Sequence, residues 1–449
     1  MISVIFIGVA VVYGFVTRGR NIPGPVNIVS AIILIVIMVA IGYNLPLMGI
    51  AISLDYDTWM IILGVYILVA SVAPVWILLQ PRDYLSSYLL YGMIILAIIG
   101  IVGASVMGAA TDLQIPAFTG FVASNAAFDA STGQQLVDEA GKTITNKAAA
   151  SGFLFPALFI TIACGAISGF HSLVGSGTTS KQINSEKDAK VIGYGAMIIE
   201  CVLALVSVIS VGVVWNLVQQ GAGGEGAPLT TNAPPAIFAS GIASMVSWMT
   251  GGAADFTNPL YDTIYTLITL AVSVFALTSL DTGTRLGRYM FTELFVHEGE
   301  DPTKIPGFRG FLAKPLVGTL FLVIVGCGIG FLSLSQIWGL FGAANQLLAG
   351  LALMAVACWL GNIGKSNKMF FIPMIFMLVA TLTSLVMTII GKIGAIGAGT
   401  ALWGDWFQLV FAAALVILAV VVSISGIQTF VKQAKGEITG DAKAVEATK

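Results

Sequence analysis

Residues 153–182 read FLFPALFITIACGAISGFHSLVGSGTTSKQ. The stretch begins as an apolar membrane helix and turns polar within a few positions, as Gly165, Ser168, Gly169, His171, Ser172, Gly175, Ser176, Gly177, Thr178 and Thr179 replace the aliphatic residues. Glycine relaxes the backbone, while serine, threonine and histidine supply hydrogen-bonding groups. Non-helical backbone at membrane depth survives only where protein or a water-filled cavity satisfies it. Interrupted membrane helices of this kind mark the binding sites of secondary carriers.

The rest of the chain agrees with a membrane setting. It is 57% hydrophobic and 9% charged, against about 25% charged in ordinary soluble domains. Charge-free runs cover Asn21–Leu54, Tyr84–Thr111, Thr263–Leu280, Pro315–Gly364 and Met369–Gly391, each near or beyond the ~20 residues a helix needs to cross the hydrocarbon. The expected fold is all-α, a polytopic transmembrane helix bundle of about eleven segments near 2–16, 26–45, 59–79, 85–109, 153–170, 190–215, 259–280, 311–333, 337–361, 369–391 and 405–430. Residues 1–430 form the carrier domain and 431–449 a cytoplasmic tail. External loops over 110–152 and 216–258, rich in small residues, are expected to have little core. Residues 281–295 read as an amphipathic helix leaving the membrane.

With the loop of Arg18 and Arg20 placed in the cytoplasm, only Lys142, Lys147 and Lys392 of the basic residues fall outside, as the positive-inside rule asks. The C-terminus is then cytoplasmic and Met1 external. That start without a flank suggests either that the first helix is not a span or that sequence is missing upstream. A net charge of −2 without a basic stripe excludes nucleic acid as an expected partner. Four scattered cysteines and two histidines give no metal set, and no cofactor motif or nucleophile–base set is present, so the chain is not read as an enzyme.

Several polar residues are candidates for function. Glu200 lies inside an apolar segment, where an acid is costly and by default functional; it carries a coupling proton or, protonated, bonds a neighbouring helix. His171 at the break relays a proton, binds a carboxylate, or sits satisfied at the interface. Asp281 ends a charge-free helix, gating the cytoplasmic mouth with Arg285 or capping the helix. Arg82 and Asp83 in QPRDYL serve as a gate or an interfacial loop cap. Asn345 and Gln346 in WGLFGAANQLLAG glue helices or coordinate substrate.

Five blocks resemble the carbon starvation protein A (CstA) family of membrane carriers: APVWILLQPRDYLSSYL (73–89), FITIACGAISGFHSLVGSGTTSKQ (159–182), VIGYGAMIIEC (191–201), LTSLDTGTRLGRYMF (277–291) and LFGAANQLLAGLAL (340–353). The resemblance implies inner-membrane uptake of peptides or small carboxylates such as pyruvate during carbon starvation, proton or sodium coupling, and a distant relation to LeuT-like inverted-repeat carriers. The break and the buried amides are the expected substrate contacts, Ser168, Gly169, His171, Ser172, Ser176, Gly177, Thr178, Thr179, Asn345 and Gln346, and coupling is expected through Glu200, His171 and Asp281, which lie inside the matching blocks. The chain departs from the family pattern at Ser180, where proline is expected, and lacks the family's glycine-rich N-terminal region. The alternative is a non-transporting subunit or a carrier fragment with half its site.

Overall fold

The computed structural model describes residues 2–436 apart from 21, 45–53, 110–111, 116, 119, 122–123, 127–144, 148–152, 217–232, 298, 303 and 332–337. Most of the 110–152 stretch and the tail beyond 436 therefore lie outside the described residues. The chain divides into two compact units, residues 1–117 with 183–331, and 118–182 with 332–449. The fold is helical. The described strands are a short antiparallel ribbon, β1 (Ser124–Ala126) with β2 (Thr145–Lys147), in the register Ser124↔Lys147.

Among the described residues, seven helices are long and apolar enough to cross a membrane, and shorter apolar helices lie at Ile5–Thr17, Tyr56–Val72, Leu154–Ala163 and Pro315–Phe331. The exposed surface of these helices is carried by large apolar side chains such as Val36, Val65, Ile95, Ile324, Ile372 and Ile417, the composition that a lipid-facing surface requires.

The first unit contains α1 (Ile2–Thr17), α2 (Gly24–Asn44), α3 (Tyr56–Val72), α4 (Leu79–Val106), α7 (Glu186–Val213), α8 (Pro234–Met249), α9 (Pro259–Glu293), α10 (Gly307–Leu312) and α11 (Pro315–Phe331). Its main core joins α4, α7, α8 and α9 through Ala97, Val206, Ile242, Met245, Tyr261 and Ile268. A second cluster packs Phe6, Tyr13, Met38 and Leu85 against Leu270 and Val274.

Helix α8 corrects the reading of 216–258 as a surface excursion for residues 234–249, while 217–232 lie outside the described residues. The unbroken run Ala239–Ser247 is buried within it. Its sequence, PPAIFASGIASMVSWM, is low in bulk because its neighbours come close. A Cβ on Gly241 would stand 2.2 Å from the Ser210 carbonyl oxygen, and one on Gly100 would stand 2.9 Å from Val246. Small residues that look like loop composition are what close helix packing in a membrane demands.

Helix α9 brings a second correction. Pro259–Glu293 is one helix of 35 residues, about 52 Å long at 1.5 Å per residue. Residues 281–293 are not a separate surface helix, and Asp281 lies mid-helix, which removes its capping role. Asn258 caps the start instead, its side chain accepting from the Leu260 N–H at 3.0 Å.

The second unit contains α5 (Phe159–Ala163), α6 (Gly169–Gly177), α12 (Trp338–Asn362), α13 (Phe371–Gly397) and α14 (Trp403–Ala434). The last three share a core of Leu340, Leu347, Met354, Leu378, Leu385 and Ala419. The turn into α14 is fixed by Asp405, which accepts from the Leu402 N–H at 2.8 Å and from Lys392 Nζ at 2.7 Å.

Candidate functional site

The break in the second unit is shorter than the sequence suggests. A wide turn over Leu154–Leu158, which contains a cis Phe155–Pro156 peptide, leads into α5. The helix stops at Ala163, and Cys164–Ile167 turn on bonds such as Ile167 N–H to the Ala163 carbonyl at 2.7 Å. Ser168 is extended, and the chain is helical again from Gly169 to Gly177. The polar half of the motif is therefore a helix, not an unwound segment.

Asn345 of α12 spans the break. Its Oδ1 accepts from Ser168 Oγ at 3.1 Å and from the Phe170 N–H at 2.8 Å, and its Nδ2 donates to Cys164 Sγ at 3.0 Å. One carboxamide thus grips both sides, and it caps an N–H at the start of α6 that its own helix leaves unsatisfied. Gly169 makes this possible, because a Cβ there would stand 2.4 Å from the Asn345 carbonyl oxygen and 2.5 Å from Leu348 Cβ.

The next residue, Gln346, is fully buried, and neither its Oε1 nor its Nε2 has a hydrogen-bond partner among the described residues. An unpaired buried amide costs about 1–3 kcal/mol. The structure retains that cost one residue from the pin across the break. Other motif residues are less engaged. Ser172 and Ser176 donate back to the carbonyls of Gly169 (2.6 Å) and Leu173 (3.2 Å), and Ser180 donates to Ser176 at 2.6 Å. Thr178 Oγ1 is buried without a partner among the described residues. Thr179 opens a short turn after α6. His171 is exposed and is not brought to Asn345 or Gln346 by any hydrogen bond.

The first unit holds a separate polar centre where α3, α4 and α9 meet. Arg82, in the first turn of α4, is fully buried and pairs with Asp281 of α9, itself 1% exposed. Arg82 also donates to Tyr66 Oη at 2.7 Å, and Tyr66 donates to Asp281 at 3.0 Å, closing a three-membered ring. Asp83 accepts from Arg82 at 3.2 Å and from Thr278 Oγ1 at 3.1 Å. Arg82 is therefore a buried centre and not a loop cap. Arg285 donates to the carbonyls of Ala70 (2.9 Å) and Ala73 (3.0 Å), and Arg288 to that of Ser71 (2.7 Å). These are orphan carbonyls at the C-terminal end of α3, where guanidinium charge meets the negative end of the helix dipole. The sequence reading missed Tyr66, Thr278 and Arg288: the first two carry no charge, and the third counts as an ordinary loop cation in any tally of basic residues.

Glu200 joins neither centre. It is partly exposed on α7, with no hydrogen-bond or ion-pair partner among the described residues.

The model of the family described as carbon starvation protein CstA matches residues 1–223 and 216–384. The chain belongs to the carbon starvation protein CstA family. Among its relatives is a protein named peptide transporter CstA from Helicobacter pylori, 30% identical over 385 residues, covering 74% of this chain and 50% of the relative. The peptide transporter CstA of Escherichia coli K12 is 31% identical over 383 residues, covering 73% and 48%. The pyruvate/proton symporter BtsT of the same organism is 28% identical over 431 residues, covering 80% and 55%. This CstA-family chain thus spans about half the length of the relatives it matches. No solved structure matches it. Family membership and the apolar helices together make it a multi-pass membrane protein.

Proposed function

We propose that this chain carries the transport chemistry of a proton-coupled secondary carrier that imports peptides or small carboxylates such as pyruvate across the inner membrane. The observation that supports it most is the buried Arg82–Asp281–Tyr66 ring. An ion pair in a charge-poor membrane helix is expensive and here lies among three helices that must move if the site is to face both sides. When Asp281 is ionised it holds Arg82, tying α4 to α9. Protonation of Asp281 weakens that tie and frees the guanidinium, through its own N–H groups, for a substrate carboxylate. Asp83 and Arg285 flank the pair as gate residues.

The break in the second unit is proposed, by itself, as a substrate-contacting region. Asn345 positions Ser168 and Gly169, and the unspent carboxamide of Gln346 meets the peptide or carboxylate group. His171, Ser172, Ser176, Gly177, Thr178 and Thr179 line the helical continuation, and Glu200 is an additional proton carrier. Eleven membrane segments, a LeuT-like arrangement and a cytoplasmic C-terminus complete the proposal. The names of the relatives support both substrate classes and proton coupling.

The share of the relatives' length that is matched favours a second reading, a subunit or part of a carrier that does not transport alone. Reconstituted chain separates the two. Counterflow of labelled substrate supports the carrier, and a folded chain without counterflow supports the subunit. Asp281→Asn and Glu200→Gln then test coupling: each is expected to abolish pH-driven accumulation more than exchange. Unchanged accumulation removes that residue from the mechanism.

A further inference from the structure

The end of α9, the short α10 and the start of α11 line an open cavity of about 600 Å³ beside the first unit's polar centre, with which it shares Arg288. Its walls include Tyr289, Ile305, Phe311 and Ala313, and two cations enter it, Arg288 and Lys314. Arg288 is 7% exposed, and its Nε has no hydrogen-bond partner among the described residues. Lys314 Nζ stands 5.9 Å from the centre of the Phe311 ring, at the exposed edge.

The charge balance around the cavity is selective. Lys304 is paired with Asp301 at 3.5 Å, and Arg309 with Glu300. Arg288 and Lys314 have no carboxylate within ion-pair distance among the described residues, and no acid lines the cavity. Leu294, Phe308, Phe311 and Leu316 nearby are all exposed large hydrophobics, as at a surface that meets lipid. An apolar hollow lined by two cations without a carboxylate partner among the described residues, Arg288 being held by the Ser71 carbonyl and lying 4.8 Å from the Tyr289 ring centre, set where membrane helices end, matches a molecule with a fatty body and an anionic head. Basic pockets between membrane helices take anionic headgroups by this complementarity. A free phosphate would gain the cations but leave the apolar wall unfilled.

We propose that this cavity is a binding site for an anionic phospholipid, with Arg288 and Lys314 holding the headgroup phosphate and Phe311 and Ile305 the start of the acyl chains. The inference rests on the membrane placement of α9 and α11 and is independent of any transport reading.

The test uses the full chain purified in neutral detergent and offered phosphatidylglycerol or phosphatidylcholine with identical acyl chains, retained lipid being counted by native mass spectrometry. Phosphatidylglycerol should be retained in preference. Lys314→Gln should lower that retention about fivefold, the effect of one basic residue near a lipid surface, with phosphatidylcholine unaffected. Lys304→Gln, already paired and outside the cavity, should leave the preference intact. Because Arg288 also holds the Ser71 carbonyl and its loss risks the fold, Lys314 carries the test. Equal retention of the two lipids, wild-type retention in Lys314→Gln, or equal thermal protection by inorganic phosphate alone would overturn the proposal.

Discussion

Among the described residues, replacing Asp281 with leucine removes the one carboxylate that pairs with Arg82 out of contact with water. Breaking a buried ion pair costs about 3–5 kcal/mol, because the remaining charge keeps its desolvation penalty and loses its compensation. Arg82 would retain Tyr66 and Asp83, and the Asp83 side chain is 39% exposed and 3.2 Å away. That residual pairing places the expected loss at the low end, about 3 kcal/mol. The companion variant Arg82→Met/Asp281→Leu removes both charges at similar volume, and replacing a buried pair in this way is often neutral or better. It should return to within about 1 kcal/mol of the wild type, while substrate accumulation stays lost because the switchable charge is gone. Equilibrium unfolding in mixed detergent micelles measures the first effect, and uptake into liposomes the second. A single variant that costs under about 1 kcal/mol, or a double variant as unstable as the single, would refute the claim that the two charges compensate each other in a dry interior.

Other expectations follow from particular contacts. Gly169→Ala puts a Cβ 2.4 Å from the Asn345 carbonyl oxygen, an overpacking cost of about 1–3 kcal/mol; an unfolding midpoint equal to wild type would mean that the break is loosely held. Gln346→Leu removes a buried amide that has no described partner, so stability should be unchanged or raised by about 1 kcal/mol while substrate affinity falls; a destabilised variant with normal transport would return Gln346 to a packing role. The Glu300 carboxyl, in the loop after α9, is held below the ordinary carboxylate value first by the His297 N–H and then by Arg309. Its contribution is therefore present above the unfolded value of about 4.3 and lost as pH falls through the lower folded value. A titration of its carboxyl carbon resonance with a midpoint at or above about 4.3 would contradict this.

Composition and charge-free runs were enough to read the helical membrane class, and the glycine–serine motif at 165–179 pointed to an interrupted helix. What was not legible depended on neighbours. Gly241 of α8 is small because the Ser210 carbonyl approaches it closely, as Gly100 of α4 is because Val246 of α8 does, and a hydropathy window cannot tell a tightly packed helix from a loop. Asp281 looked like the end of a helix because charge begins there. In space those charges continue the helix inward, meeting Arg82 from a position 199 residues away. Asn345 was visible as a buried amide in an uncharged run. Its specific task, holding Cys164, Ser168 and Phe170 together across 175 or more positions, required coordinates. Glu200 shows the converse: its depth in an apolar run was readable, yet no described residue hydrogen-bonds or ion-pairs with it.

The central claim is best tested by reconstituting the full chain in liposomes and imposing an inward proton gradient in the presence of labelled pyruvate or a labelled short peptide. Proton-driven coupling predicts accumulation above the external concentration, collapse of that accumulation on adding a protonophore, and its loss in Asp281→Asn with exchange preserved. Correctly folded chain that shows neither accumulation nor counterflow of either substrate would contradict the claim that this chain carries out transport.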